Sequence, residues 1–305
     1  MKFTRETSLI LLAFFAIYVI WGSTYLLNKI AVVEIAPLFL SSMRFFTSGV
    51  LIFIIAKFLK IPLRVTKKQL VNNVIAGFLF LVYGNGVFVW ALKFVDSGFA
   101  ALEASLMPLV VLLLMWLING QKIQQMSLIG VGFGFVGIYL LVNQQEIVTN
   151  KGSLIGILMI FTCIVSWAYA SIFVSKATLH SSYFVNAAYQ MLSAGILLVL
   201  FSYSLGEDWI MPFELSAKVQ ISMLLLIVFG SIIAFTAFNF LLRTVSPEKV
   251  ATSAYVNPVI AVFLGWYILD ERITLQTIIA AALLLTGVYF INSKKNTKRT
   301  SKKHL

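Results

Sequence analysis

The sequence predicts an all-α integral membrane protein: ten transmembrane helices built from two inverted five-helix repeats. Three observations carry that prediction. Of the 305 residues, 60% are hydrophobic and only 11% charged, against about 25% charged in soluble domains. Apolar runs of about 20 residues, the length that crosses roughly 30 Å of hydrocarbon as a helix, recur from end to end. The second half of the chain also repeats landmark residues of the first.

The runs place spans at 9–31, 38–58, 70–92, 97–118, 125–142, 153–175, 183–204, 219–242, 249–268 and 274–291. Little chain remains for a soluble domain. The opening MKFTRETSLILLAFF has a basic start like a signal peptide. Its apolar run continues past Trp21 with no small-residue cleavage site, so it is expected to stay as the first span.

Charge orients the spans. With both termini placed inside, the inner segments hold 17 of the 23 Lys and Arg residues, and the outer segments hold four: Lys93, Lys151, Lys218 and Arg272. Lys29 and Arg44 lie within spans. This is the positive-inside bias. It predicts a multi-pass protein of the inner (plasma) membrane with both termini cytoplasmic. The net charge of +12 is therefore a topology signal, not a nucleic-acid footprint. The basic tail 294–305 anchors at anionic headgroups.

The repeat is seen by shifting the chain 150 places. FVDSGFAALEASLMPLVVLLLMWLINGQKI (94–123) lies over TVSPEKVATSAYVNPVIAVFLGWYILDERI (244–273), pairing Pro108 with Pro258 and Trp116 with Trp266. Nearer the start the offset is smaller: Trp21 meets Trp167 at 146, and Lys29 meets Lys176 at 147. The units run over 1–145 and 150–293. Five spans is an odd number, so the second copy crosses in the opposite sense, a construction typical of secondary transporters.

Several stretches together resemble the EamA family of the drug/metabolite transporter superfamily. They are WGSTYLLNKIAV (21–32), APLFLSSMRF (36–45), WALKFVDSGFAALEASLMPLVV (90–111) and LDERITLQTIIAAALLLTGVYF (269–290). The resemblance covers nearly the whole chain. It implies a ten-helix carrier of small organic solutes, often outward, with amino acids among typical substrates. The family commonly has a glutamate after the fourth span of each repeat. Glu271 keeps it, whereas the first half has Gln121. The family pattern is apolar at Glu103, so that residue borrows no role from it.

Polar groups inside spans are costly and face the bundle interior. Glu103 and Arg44 each lie about six residues from their span's outer end, roughly 9–10 Å at 1.5 Å per residue. They are read either as a structural ion pair or as a site. In the second reading Glu103 binds a cationic group or a coupling proton, and Arg44 holds a substrate carboxylate. Gln190 is the repeat mate of Arg44. Tyr83, Trp167 and Tyr255 fall deep enough to line a cavity. Asn85, Asn239 and Asn257 need partners away from water and are placed facing inward. Pro108 and Pro258 are read as hinges or static kinks. Lys29 is expected to snorkel to the headgroups.

The rest is exclusion. The match to GxGxxG at Gly132, Gly134 and Gly137 sits inside a span rather than after a strand, and Gly130 with Gly134 reads as helix packing. A single cysteine, Cys163, rules out an intrachain disulfide. No metal-ligand spacing and no GxxxxGK[ST] are present, so no cofactor is expected and transport would run on gradients. An enzyme would need a nucleophile with a base, or clustered ligands, and the spans hold neither histidine nor aspartate. The partners expected are a small-molecule substrate, membrane lipids and protons as the coupling ion, with a homodimer left open. The alternative function is a lipid-linked carrier or flippase.

Overall fold

The computed structural model describes residues 5–120, 125–142, 152–251 and 253–292. Gln121 and the tail 294–305 fall outside them. No strand occurs among the described residues. A backbone in hydrocarbon must bond to itself, and a helix does so within one segment.

Helices occupy each predicted interval. They are α1 Glu6–Ala31, α2 Pro37–Phe58, α3 Lys67–Ala91, α4 Ser97–Ile118, α5 Gln125–Val142, α6 Ser153–Lys176, α7 Tyr183–Ser204, α8 Ala217–Thr244, α9 Ser253–Leu269 and α10 Leu275–Asn292. Seven of them (α1–α4 and α6–α8) are long and apolar enough to cross a membrane, and α9 and α10 contain shorter apolar helices. Starts follow local chemistry. Thr66 and Gln69 form a capping box for α3, Pro37 opens α2, and Ser216 caps α8.

The helices pack in a pattern that pairs the halves. α2 lies against α7, α4 against α9, and α5 against α10. α3 contacts α6 in the way that α8 contacts α1. Two π-helical stretches, Phe78–Val87 in α3 and Leu226–Ile233 in α8, occupy matching places. Close approach needs small residues. A Cβ on Gly287 of α10 would lie 2.6 Å from the Gly130 carbonyl and 3.1 Å from the Gly134 nitrogen of α5. The packing expected of Gly130 and Gly134 is therefore the arrangement seen.

The two prolines do not bend their helices alike. α4 breaks at Ser105–Leu106, and Pro108 is the second residue of the piece that follows. Pro258 sits within the unbroken α9. The interruption in that segment comes earlier, between a short helical turn at Pro247–Val250 and Ser253.

One end of the bundle is held by carboxylates. Glu34 accepts from the Ser216 backbone N–H (2.9 Å) and hydroxyl (2.6 Å) at the start of α8. These bonds hold its carboxyl below the usual carboxylate range. Glu207 accepts from Leu38 and Phe39 N–H at the start of α2. Glu271 accepts from Ser97 N–H (2.9 Å), Ser97 Oγ (2.7 Å) and Gly98 N–H (3.0 Å) at the start of α4. Asp96 stands at the N-cap of α4 but makes no cap bond, so Glu271 supplies the cap from another helix pair. Burial, then the charge of Glu271, pushes the Asp96 carboxyl up, and Lys29 opposes them.

Gly265 has no side chain to obstruct Glu271 Oε2, which a Cβ there would run into. A lost cap costs about 0.5–2 kcal/mol. Glu271→Ala is accordingly expected to lower the melting temperature in detergent measurably.

Lys29 is tied to protein groups at the predicted outer end of the bundle. Its ammonium donates to the Leu92 (2.7 Å) and Val95 (2.6 Å) carbonyls and lies 4.0 Å from Asp96. The Leu92 carbonyl stands at the C-cap of α3, where the negative end of the helix dipole favours a cation. The opposite end is tied by amides. Gln69 and Asn72 donate to the Leu179 and Thr178 carbonyls, and Asn73 donates to Asn186.

Candidate functional site

Where the two sets of helices meet, the packing leaves a central cavity. It offers about 130 Å³ to the centres of water-sized molecules. One water needs about 10–15 Å³ on that measure, so a small solute fits. The first half contributes α1, α2, α3 and α4; the second contributes α6, α8, the turn at 247–250 and α9.

The wall is aromatic on one side. Trp21 and Trp167, the pair matched by the repeat, meet edge to face at 5.7 Å. Phe238 packs on Trp21 at 4.9 Å, and Phe80 on Trp167 at 4.9 Å. Trp21 Nε1 donates to the Gly230 carbonyl at 3.0 Å, so the indole is oriented by the π-helical stretch of α8. Single π-helical segments inside α-helices often mark functional sites.

The other side is polar. Arg44 is 3% exposed. Its Nε donates to Ser231 Oγ at 2.7 Å, and its Nη1 reaches Asn28 Oδ1 at 3.4 Å. The Phe45 ring lies 4.9 Å from the guanidinium carbon. Asn28 is itself held by a bond to the Thr24 carbonyl (2.8 Å). Asn85 shares the wall, and its Oδ1 is buried without a partner. Asn257, with its amide oriented to satisfy its neighbours, donates to the Tyr18, Ile17 and Ser253 carbonyls.

The expected site residues divide. Arg44, Asn85, Trp167 and Asn257 line the cavity. Glu103 is buried at 3% exposure one residue off the wall, which its neighbours Ala104 and Met107 do line. No ion pair joins it to Arg44, and its Oε2 has no partner. Equal depth on two helices does not bring two side chains to the same face.

Tyr83 is 36% exposed and not part of the wall. Gln190 donates to Asn73 Oδ1 at 3.0 Å in the α3–α7 packing, and Asn239 donates to the Phe235 carbonyl of its own helix. Neither reaches the cavity. Tyr255 falls within α9, and its side chain lies outside what the structure describes. The sequence reading passed over Asn28, Ser231 and Gly230. Asn28 carried a signal, as an amide within an apolar run four residues from Thr24.

Comparison with known proteins gives a consistent picture. The EamA-like transporter family matches the chain twice, over residues 8–143 and 154–293. The "Uncharacterized inner membrane transporter YedA" of Escherichia coli (strain K12) is 35% identical over 292 residues, 92% of each chain. The "Uncharacterized transporter YoaV" of Bacillus subtilis (strain 168) is 23% identical, covering 92% of this chain and 95% of its own. The "S-adenosylmethionine/S-adenosylhomocysteine transporter" of Chlamydia muridarum (strain MoPn / Nigg) is 25% identical, covering 89% and 88%. A solved structure titled "Crystal structure of protein" shares the fold, with a TM-score of 0.70 at 19% identity, covering 95% of this chain and 97% of its own.

Proposed function

The chain belongs to the EamA-like transporter family, and from that premise we propose that it is a secondary, gradient-driven carrier of small organic metabolites. All ten helices cross the membrane in two halves of opposite orientation, with both termini in the cytoplasm. The carrier works by alternating access and exports amino acids or related compounds.

The observation that carries this reading is the central cavity shared by both halves, walled by paired tryptophans and a buried arginine. The pairing of α2 with α7, α4 with α9 and α5 with α10 supports an exchange of conformations between halves. One end is closed by glutamate caps and the other by amide bonds. Each set is made of bonds between elements that would have to part for that end to open. In this reading Glu103 takes up the coupling proton.

Purified protein in proteoliposomes tests the proposal with a labelled metabolite panel. The expected result is saturable flux of at least one solute, accelerated by unlabelled solute on the far side. No flux or counterflow of any solute would sink it. The relative named for S-adenosylmethionine and S-adenosylhomocysteine makes both compounds members of the panel.

A further inference from the structure

Resting on the carrier reading, we propose that the cavity selects solutes bearing a small anionic group, a carboxylate or a comparable oxyanion, and that Arg44 holds it through Nη2 beside Gly230. A guanidinium presents five N–H donors in a rigid fork. Here Nε is taken by a hydroxyl at 2.7 Å and Nη1 by an amide oxygen at 3.4 Å, while Nη2 has no hydrogen-bond partner among the described residues. Both partners are neutral. No carboxylate among the described residues lies within 4.0 Å of the guanidinium.

A buried charge without a counter-ion is costly, and charges within membrane spans pair or face a polar path. Arg44 faces the cavity instead. Ser231 and Asn28 fix the plane of the fork without neutralising it, which leaves one edge ready for a planar anion.

The seat of that edge against α8 is built in. A Cβ on Gly230 would stand 3.1 Å from Nη2 and 2.9 Å from Thr24 Cγ2. Glycine lets Nη2 sit this close to α8, and its carbonyl is already committed to Trp21. The described lining residues include no Asp or Glu. Among those described residues a cationic group on the solute would meet carbonyls, amides and aromatic faces, so the anion sets the selectivity. The apolar body of the solute would rest on Trp21, Trp167 and Phe238.

A matched set of probes tests this on the full chain in proteoliposomes: 3-phenylpropionate, benzylphosphonate, phenylalanine, phenethylamine and 3-phenylpropanol. Binding is read as the shift in melting temperature, and transport as competition with the solute that gives flux. The carboxylate, the phosphonate or both are expected to bind roughly tenfold or more tightly than the alcohol, as charge-assisted bonds imply. Phenylalanine should fall between, and phenethylamine should not exceed the alcohol. Which anion binds better tells a carboxylate cargo from a phosphorylated one.

Arg44→Gln is expected to erase the preference for the anion, and Arg44→Lys to restore part of it. Should Arg44→Gln fail to fold, Gly230→Ala keeps the guanidinium but displaces Nη2 from its seat, and should weaken the anion more than the alcohol. Equal binding of amine and carboxylate by the wild type overturns the inference, as does an anion preference that survives Arg44→Gln. Flux of neutral or cationic solutes alone overturns it while the carrier reading stands. No flux of any solute removes the carrier reading itself.

Discussion

Gly195→Val is expected to leave little folded protein at temperatures where Gly132→Val matches the wild type. A Cβ on Gly195 of α7 would lie 2.6 Å from the Phe46 nitrogen, 2.7 Å from its Cα and 2.8 Å from its Cβ, all on α2. The same helix pair is pinched from the other side, since a Cβ on Gly49 would lie 2.8 Å from the Leu192 nitrogen. These are mainly backbone atoms. A side-chain clash relaxes by changing rotamer, but here the whole of α2 would have to move. Overpacking costs about 1–3 kcal/mol where side chains can adjust, so valine should reach or exceed the top of that range. α2 also carries Arg44, so any surviving protein should show weakened cavity binding. Gly132 is the control because a Cβ there meets nothing within 4 Å. Thermal unfolding can be followed with a thiol-reactive dye, because the chain's single cysteine, Cys163, is buried at 2% exposure.

Neither Gly49 nor Gly195 announced itself in the sequence, and the reason is general. Hydropathy is local, so a run such as 97–118 marks its own helix, and the observed α4 covers those same residues. Depth is legible too, because rise per residue is constant. Rotation about the helix axis is not. Arg44 could be placed at its level from the sequence, but not facing Ser231 rather than Glu103. The π-helical stretch at Phe78–Val87 changes the angular register within α3. Asn85 joins the wall and Tyr83, two residues before it, faces outward, as positions two apart do on either kind of helix. Asn239 was read as needing a partner and Gln190 only as the repeat mate of Arg44, and both amides have partners. They find them in a neighbouring helix and in their own turn, which no periodicity reveals. The family's glutamate was visible as Glu271, and its work as the cap of α4 became visible only with the fold.

Glu103→Gln is expected to fold at least as stably as the wild type and to lose the pH dependence of transport. Glu103 is the last residue but one of the first piece of α4, and its own carbonyl accepts from Leu106 N–H at 3.1 Å in the turn. Pro108 two residues further on has no N–H, so the α-helical bond that would return to the Ala104 carbonyl is absent. The carboxyl group is thus set at a discontinuity of the helix, beside the wall. Its Oε2 has no hydrogen-bond partner, and no cation among the described residues lies within 4.0 Å. A structural ion pair would make substitution costly, because breaking a buried pair strands the other member at about 3–5 kcal/mol. Here nothing is stranded, and glutamine keeps the shape while removing the charge. The melting temperature should therefore hold or rise. The flux experiment separates the remaining roles. If Glu103 exchanges a proton during the cycle, wild-type flux changes across a pH series while that of Glu103→Gln stays flat. If both profiles coincide, Glu103 is packing, and the coupling ion must be sought at another group.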